Sequence, residues 1–111
     1  MFSFIKVGLL LVIGITTLPF EETHTLQPYK EHTYRLEHLK EGNLTVQVVG
    51  DNKGGDVDCY LIIKGHIIAK EESDADRCAL GMIRASNDPD IIVWIINDGN
   101  KPDTYSIKIS Q

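Results

Sequence analysis

The sequence predicts an all-β chain with a single antiparallel β-sandwich of jelly-roll or immunoglobulin-like type. Three observations lead there. Short β-rich runs, most of them alternating apolar and polar residues, recur about every 8–14 residues, giving about seven strands. Clusters of Gly, Asn, Asp and Pro separate them. Little of the chain carries apolar residues at helical spacing. The length, 111 residues, suits one domain. With 42% hydrophobic and 24% charged residues, the composition is globular rather than disordered. The formal charge of −5 lacks the clustered Lys and Arg of a nucleic-acid footprint, so no nucleic-acid partner is expected.

The first twenty residues read as a separate segment. Lys6 precedes the unbroken apolar run Val7–Ile15, and the acidic pair Glu21-Glu22 follows Pro19 and Phe20. A short positive region before an apolar run too short to span a bilayer describes a secretory signal peptide. Cleavage is expected within residues 16–23, with an uncleaved membrane anchor as the alternative; a buried N-terminal strand or helix is the purely structural reading. The mature chain is then extracytoplasmic, periplasmic or secreted. Residues 21–31 (EETHTLQPYKE) are polar with one Pro and read as a linker or leading arm.

The domain is expected over 32–111. His32–Leu39 alternates, with Tyr34 and Leu36 on one face and Arg35 and Glu37 on the other. Glu41-Gly42-Asn43 is a turn, and Leu44, Val46 and Val48 then share one face of the next strand. Asp51–Asp56 (DNKGGD) is a loop by composition. Val57–Ile63 is β-rich, and Lys64-Gly65 turns it into Ile67–Lys70. Glu71–Asp76 is an acidic loop. Ala79 and Gly81 weaken the strand Arg77–Ile83. A turn at Ser86–Pro89 leads to the β-branched run Ile91–Ile96, which contains Trp94. Asn97–Asp103 (NDGNKPD) is a loop, and Thr104–Ser110 closes the chain.

The two cysteines, Cys59 and Cys78, suit an exported chain that carries one disulfide. Two packed free thiols are the alternative. In the register that buries Val57, Leu61 and Ile63, Cys59 points inward, and Cys78 shares parity with Leu80 and Met82. Both sulfurs can therefore face one core.

The order of these pieces resembles the bacterial pre-peptidase C-terminal domain, a β-sandwich appended to secreted peptidases and other exported enzymes. Thr33-Tyr34-Arg35-Leu36, Glu41-Gly42 and Leu44-Thr45-Val46 resemble its opening strand, turn and second strand. Asp56-Val57-Asp58-Cys59-Tyr60-Leu61 resembles its D-x-D-L-Y-L signature, with Cys59 where Leu is usual. Gly65-His66-Ile67-Ile68-Ala69 is similar to the turn and strand after it. Ile91-Ile92-Val93-Trp94-Ile95 stands where the family has a Tyr-Tyr-Val-x-Val strand, and Thr104-Tyr105-Ser106-Ile107 resembles the closing strand. The resemblance covers about residues 32–110. It implies a non-catalytic exported binding or interaction module. The other reading is a secreted inhibitor or immunity-type protein that binds and blocks an enzyme.

Enzyme chemistry finds no motif to use. Ser73, Ser86, Ser106 and Ser110 lie in no nucleophile elbow, and His24, His32, His38 and His66 are scattered without metal-ligand spacing. No cofactor is expected, with calcium as the one candidate. Asp51, Asp56 and Asp58 are the candidate ligands; with Asn52 they cluster in one acidic loop, and Glu71, Glu72, Asp74 and Asp76 form another, without EF-hand spacing. Similar sandwich modules of secreted peptidases bind calcium, which is what the resemblance adds. Solvated loop carboxylates, or Asx turns at Asp56 and Asp58, are the plainer reading. Asn43-Leu44-Thr45 is a glycosylation sequon, relevant in a eukaryotic source.

In the resembled family's pattern the positions of Val93 and Ile95 face the core. Alternation then places Ile92, Trp94 and Ile96 on the outer side, and Tyr60 and Ile62 outward on Val57–Ile63. If the two strands share a sheet, these five residues line one apolar outer face, the candidate partner-binding site. Its expected occupant is a protein, an extracellular polymer or a second copy of the chain. Cover by the 21–31 arm, through Leu26 and Tyr29, is the alternative.

Overall fold

Alternating side chains have a low-energy solution in stacked sheets, where every second residue is buried between two layers. The computed structural model, which describes residues 12–111, has this form. Nine strands occur among the described residues: β1 (Val12–Ile15), β2 (Phe20–Leu26), β3 (Glu31–Leu36), β4 (Gly42–Val49), β5 (Val57–Ile63), β6 (His66–Glu71), β7 (Arg77–Arg84), β8 (Ile91–Asn97) and β9 (Asp103–Ser110). One sheet has the order β1-β3-β8-β5-β6 and the other β2-β9-β4-β7. All pairings are antiparallel except β1 with β3.

The seven strands expected from alternation are β3 to β9. The polar arm expected at 21–31 is corrected: Phe20–Leu26 is a strand paired along its length with β9. Its inward parity falls on Phe20, Glu22, His24 and Leu26, so two of the four positions are polar and the apolar alternation is broken. Two further bonds hold it, Thr23 Oγ1 to Ser106 Oγ and Thr25 Oγ1 to Thr104 Oγ1. Lys6 and the start of the apolar run lie outside the described residues. The end of the run, Val12–Ile15, is an edge strand in register with Thr33–Leu36, and Ile15 is buried.

Both inner faces fill the core. Tyr34 and Leu36, Val57, Cys59 and Leu61, and Ile91, Val93 and Ile95 come from one sheet. Leu44, Val46 and Val48, Leu80, and Tyr105, Ile107 and Ile109 come from the other. Cys59 on β5 and Cys78 on β7 form a disulfide with Cα atoms 6.2 Å apart, which ties the two sheets together. Lys64 and Gly65, both at positive φ (52° and 77°), make the two-residue turn between β5 and β6. That conformation belongs to the hairpin turn whose twist matches the strands, and a Gly takes it without strain.

Candidate functional site

Ladder register carries the outer face of the β1-β3-β8-β5-β6 sheet. Directly paired residues project to the same side, so cross-strand rows can be read from the pairing. One row runs Val12, Thr33, Trp94, Tyr60, Lys70. The next runs Gly14, Arg35, Ile92, Ile62, Ile67. A third places Glu31, Ile96 and Asp58 side by side. Tyr60, Ile62, Ile92, Trp94 and Ile96 therefore lie on one face, opposite the buried Val93 and Ile95.

The centre of the face is an aromatic pair. The rings of Tyr60 and Trp94 lie 5.0 Å apart, tilted by 37°. Trp94, Ile92, Ile96 and Ile62 are half-buried, whereas Ile67 (52%) and Val12 (43%) at the flanks are exposed. The Tyr60 hydroxyl donates to Glu72, whose carboxylate also meets Lys70 Nζ at 3.3 Å. Burial, then the bond to Glu72, pushes the Tyr60 hydroxyl well above its ordinary pKa, so it stays a donor. The arm does not cover this face: Leu26 is buried in the core, β2 belongs to the other sheet, and Tyr29 is 66% exposed.

The candidate metal ligands are not one group. Asp51 gathers with Asp76 and Asp103, while Asp56 and Asp58 gather with Asp98. Folding separates them because the 51–56 loop bends through left-handed Asn52 and Gly54, which sends its two ends to different neighbours.

The first group is a clasp of backbone bonds. Asp76 accepts from Val57 N (3.0 Å) and Asn52 N (2.8 Å). Asp51 accepts from Lys53 N (3.1 Å) and Thr104 N (3.1 Å), and Asp103 accepts from Asp51 N (3.0 Å). The remaining oxygen, Asp103 Oδ2, is buried without a partner. Burial and the neighbouring Asp76 carboxyl push Asp103 up to about 7. Asp51 is held below the usual range, first by the Thr104 N–H.

The second group sits at the end of the aromatic face. Asn97 organises it: its Oδ1 accepts from Asp56 N and Gly99 N, and its Nδ2 donates to the carbonyls of Leu26 and Lys101. Asp98 N donates to the Asp56 carbonyl at 2.7 Å. A Cβ on Gly99 would lie 2.8 Å from Gly54 O and 2.9 Å from Asp56 N, so only glycine permits this approach. Burial, followed by the charge of Asp56, pushes Asp58 up to about 6; Asp56 is also raised, chiefly by burial.

At the opposite end of the sandwich a cavity of about 460 Å³ lies among Thr16–Pro19, Glu37–Lys40, Ser110 and Gln111. It holds none of the aspartates or aromatic residues just described. Sequence reasoning missed Asp76, Asp98 and Asp103 as partners of the 51–58 loop, since no short spacing links them to it.

No protein-family model and no curated protein matches the sequence. Solved structures do match in shape. The pre-peptidase C-terminal domain of collagenase from Bacillus anthracis superposes with a TM-score of 0.74 at 10% identity, covering 90% of this chain and 95% of that one. The Yersinia pseudotuberculosis-derived mitogen gives 0.65 at 17% identity, covering 84% and 86%. PliG from Aeromonas hydrophila, a periplasmic inhibitor of g-type lysozyme, gives 0.59 at 9% identity, covering 89% and 96%. The chain thus has a fold like that of pre-peptidase C-terminal domains, as the sequence resemblance implies.

Proposed function

We infer that this chain is a non-catalytic, exported binding module that takes a protein partner on the outer face of the β1-β3-β8-β5-β6 sheet. The observation that carries this reading is the apolar centre of two cross-strand rows, where Ile62, Ile92, Trp94 and Ile96 stay half-buried and Ile67 is exposed, packed around a Tyr60 that is itself buried at 8% exposure. Contiguous apolar surface of this kind marks interaction sites, and Trp and Tyr are favoured anchors. Glu31, Arg35, Lys70 and Glu72 rim the apolar centre with charges of both signs, so a partner with an apolar patch and a mixed polar margin fits it. The Cys59–Cys78 disulfide supports an extracytoplasmic location.

The test is the double substitution Trp94→Ser with Ile62→Ser. The unsubstituted chain and the variant serve as parallel baits for the native extracytoplasmic fraction, with circular dichroism and light scattering on each. The variant should stay folded while losing its captured protein. Loss of a dimer instead would make a second copy of the chain the partner. An unfolded variant would make this face core and overturn the reading.

A second reading, an inhibitor that blocks one enzyme, draws support from the shape shared with PliG. It requires nanomolar binding and loss of that enzyme's activity, and g-type lysozyme is the first enzyme to assay.

A further inference from the structure

We propose that β3 is a docking edge for a second copy of this chain, uncovered when the N-terminal segment is removed. β1 covers that edge in the structure, with Val12–Ile15 in register with Thr33–Leu36. It is the four-residue end of the apolar run that reads as a secretory signal. Cleavage anywhere within residues 16–23, the processing expected of an exported chain, takes β1 away whole. The proposal therefore rests on the exported reading, but not on the outer-face binding site. β3 is then left with β8 on one side and no neighbour on the other. A strand in that position presents a row of unpaired N–H and C=O groups, a template for another strand.

The register of β3 with itself selects the occupant. Glu37 N donates to Ile15 O at 2.9 Å, so the odd-numbered residues along this strand aim their backbone groups at the β1 edge. Two copies of β3 related by a two-fold axis at Thr33 pair antiparallel. Thr33 then opposes its own equivalent, and Glu31 opposes the Arg35 of the second copy. All three residues are odd-numbered, so each opposed pair can exchange both N–H···O bonds. The axis produces the Glu31–Arg35 pair twice. Both side chains are exposed on the outer parity, and neither has an ionic partner among the described residues. Opposite charges directly across an antiparallel pair stabilise it, and like charges destabilise it. Neighbouring registers lose this match. A shift of two residues one way sets Glu31 against Glu37, and a shift the other way sets Arg35 against Tyr29 and Glu31 against Thr33. Because the same strand serves on both sides, the contact closes at two copies.

Light scattering behind size-exclusion chromatography tests it on two forms of the protein. One is the chain recovered after export through its own N-terminal segment, with its first residue read by mass spectrometry. The other is the full 111-residue chain refolded under oxidising conditions, which keeps β1. The exported form should run as a dimer and the full chain as a monomer. In the exported form Arg35→Glu should weaken the dimer by about tenfold or more, because both charge pairs become repulsive. Adding Glu31→Arg to that variant should restore the dimer, which repair of a folding defect would not explain. Both side chains are exposed, so circular dichroism should stay unchanged throughout. Trp94→Ser with Ile62→Ser should leave this dimer intact, so the outer-face reading and this one fail separately. An N-terminal segment that stays attached overturns the processing and the proposal together. A cleaved chain that is monomeric or unfolded overturns the proposal alone. So does a full chain that dimerises equally well, or a dimer indifferent to Arg35→Glu.

Discussion

The hydroxyl of Tyr34, on β3, is hydrogen-bonded to the hydroxyl of Tyr105, on β9, so the two sheets share a polar contact inside an apolar core. His32 Nδ1 approaches the same Tyr105 oxygen at 2.6 Å. Burial pushes the Tyr34 hydroxyl up to about 12, and Tyr105 is raised further, so both remain protonated donors.

Tyr105→Phe should therefore cost more than the loss of one oxygen implies. It strands the buried Tyr34 hydroxyl and takes a partner from the half-buried His32 ring. A loss of about 1–3 kcal/mol is expected in urea unfolding, the usual cost of an unsatisfied buried polar group. Adding Tyr34→Phe to Tyr105→Phe should recover part of it, because the stranded group is then gone.

The core and outer parities of β8 should separate cleanly. Ile95→Ala removes a fully buried side chain and should cost about 2–5 kcal/mol. Trp94→Ser on the outer parity should cost clearly less in the same chemical denaturation. Equal losses would mean that both faces of the strand are core.

Reduction of the Cys59–Cys78 bridge should leave the sandwich folded but weaker. The closed loop, with a sequence separation of 19, corresponds to about 3 kcal/mol in the loop-entropy account. Alkylation of the unfolded, unreduced protein should label neither cysteine, and mass spectrometry reads the result directly.

The contribution of Asp103 to stability should fall as pH rises from about 4 towards 7. Asp103 has a folded pKa of about 7 against about 3.9 unfolded, and the groups facing it, Asp76 and Asp51, are acidic too. A raised carboxyl stabilises the fold fully below its unfolded value and loses that contribution as pH climbs through the folded one. Asp103→Asn should flatten this slope and raise stability at neutral pH by about 1–2 kcal/mol, since its amide can donate to Asp76. His32 acts in the other direction. Burial, then His24, lowers its pKa, so stability is also lost as pH falls below about 6.5. Thermal midpoints across a pH series, in chelator, read both limbs.

Seven strands were legible because their pattern had period two and their inner positions were apolar. The Tyr60–Trp94 face was legible for the same reason, once β5 and β8 were taken as neighbours. β2 was hidden because Glu22 and His24 occupy inward slots at a sheet edge, where His24 meets the rings of His32 and Tyr105. β1 was hidden because an unbroken apolar run has no period to read. The carboxylate groups were illegible in principle. Asp51, Asp76 and Asp103 lie in three separate loops or strand ends, and only the closing of the sandwich brings them together.

The pairing of β2 with β9 also governs when this molecule can finish folding. Thr23 and Ser106 bond across a separation of 83 residues, and β9 lies between β2 and β4. A sheet whose middle strand is the last one made cannot assemble progressively from the N-terminus. Until Asp103–Ser110 arrives, β2 and β4 each lack a neighbour and their inner side chains stay wet. Long-range closure of this kind is slow, with all-β domains folding in about milliseconds to seconds.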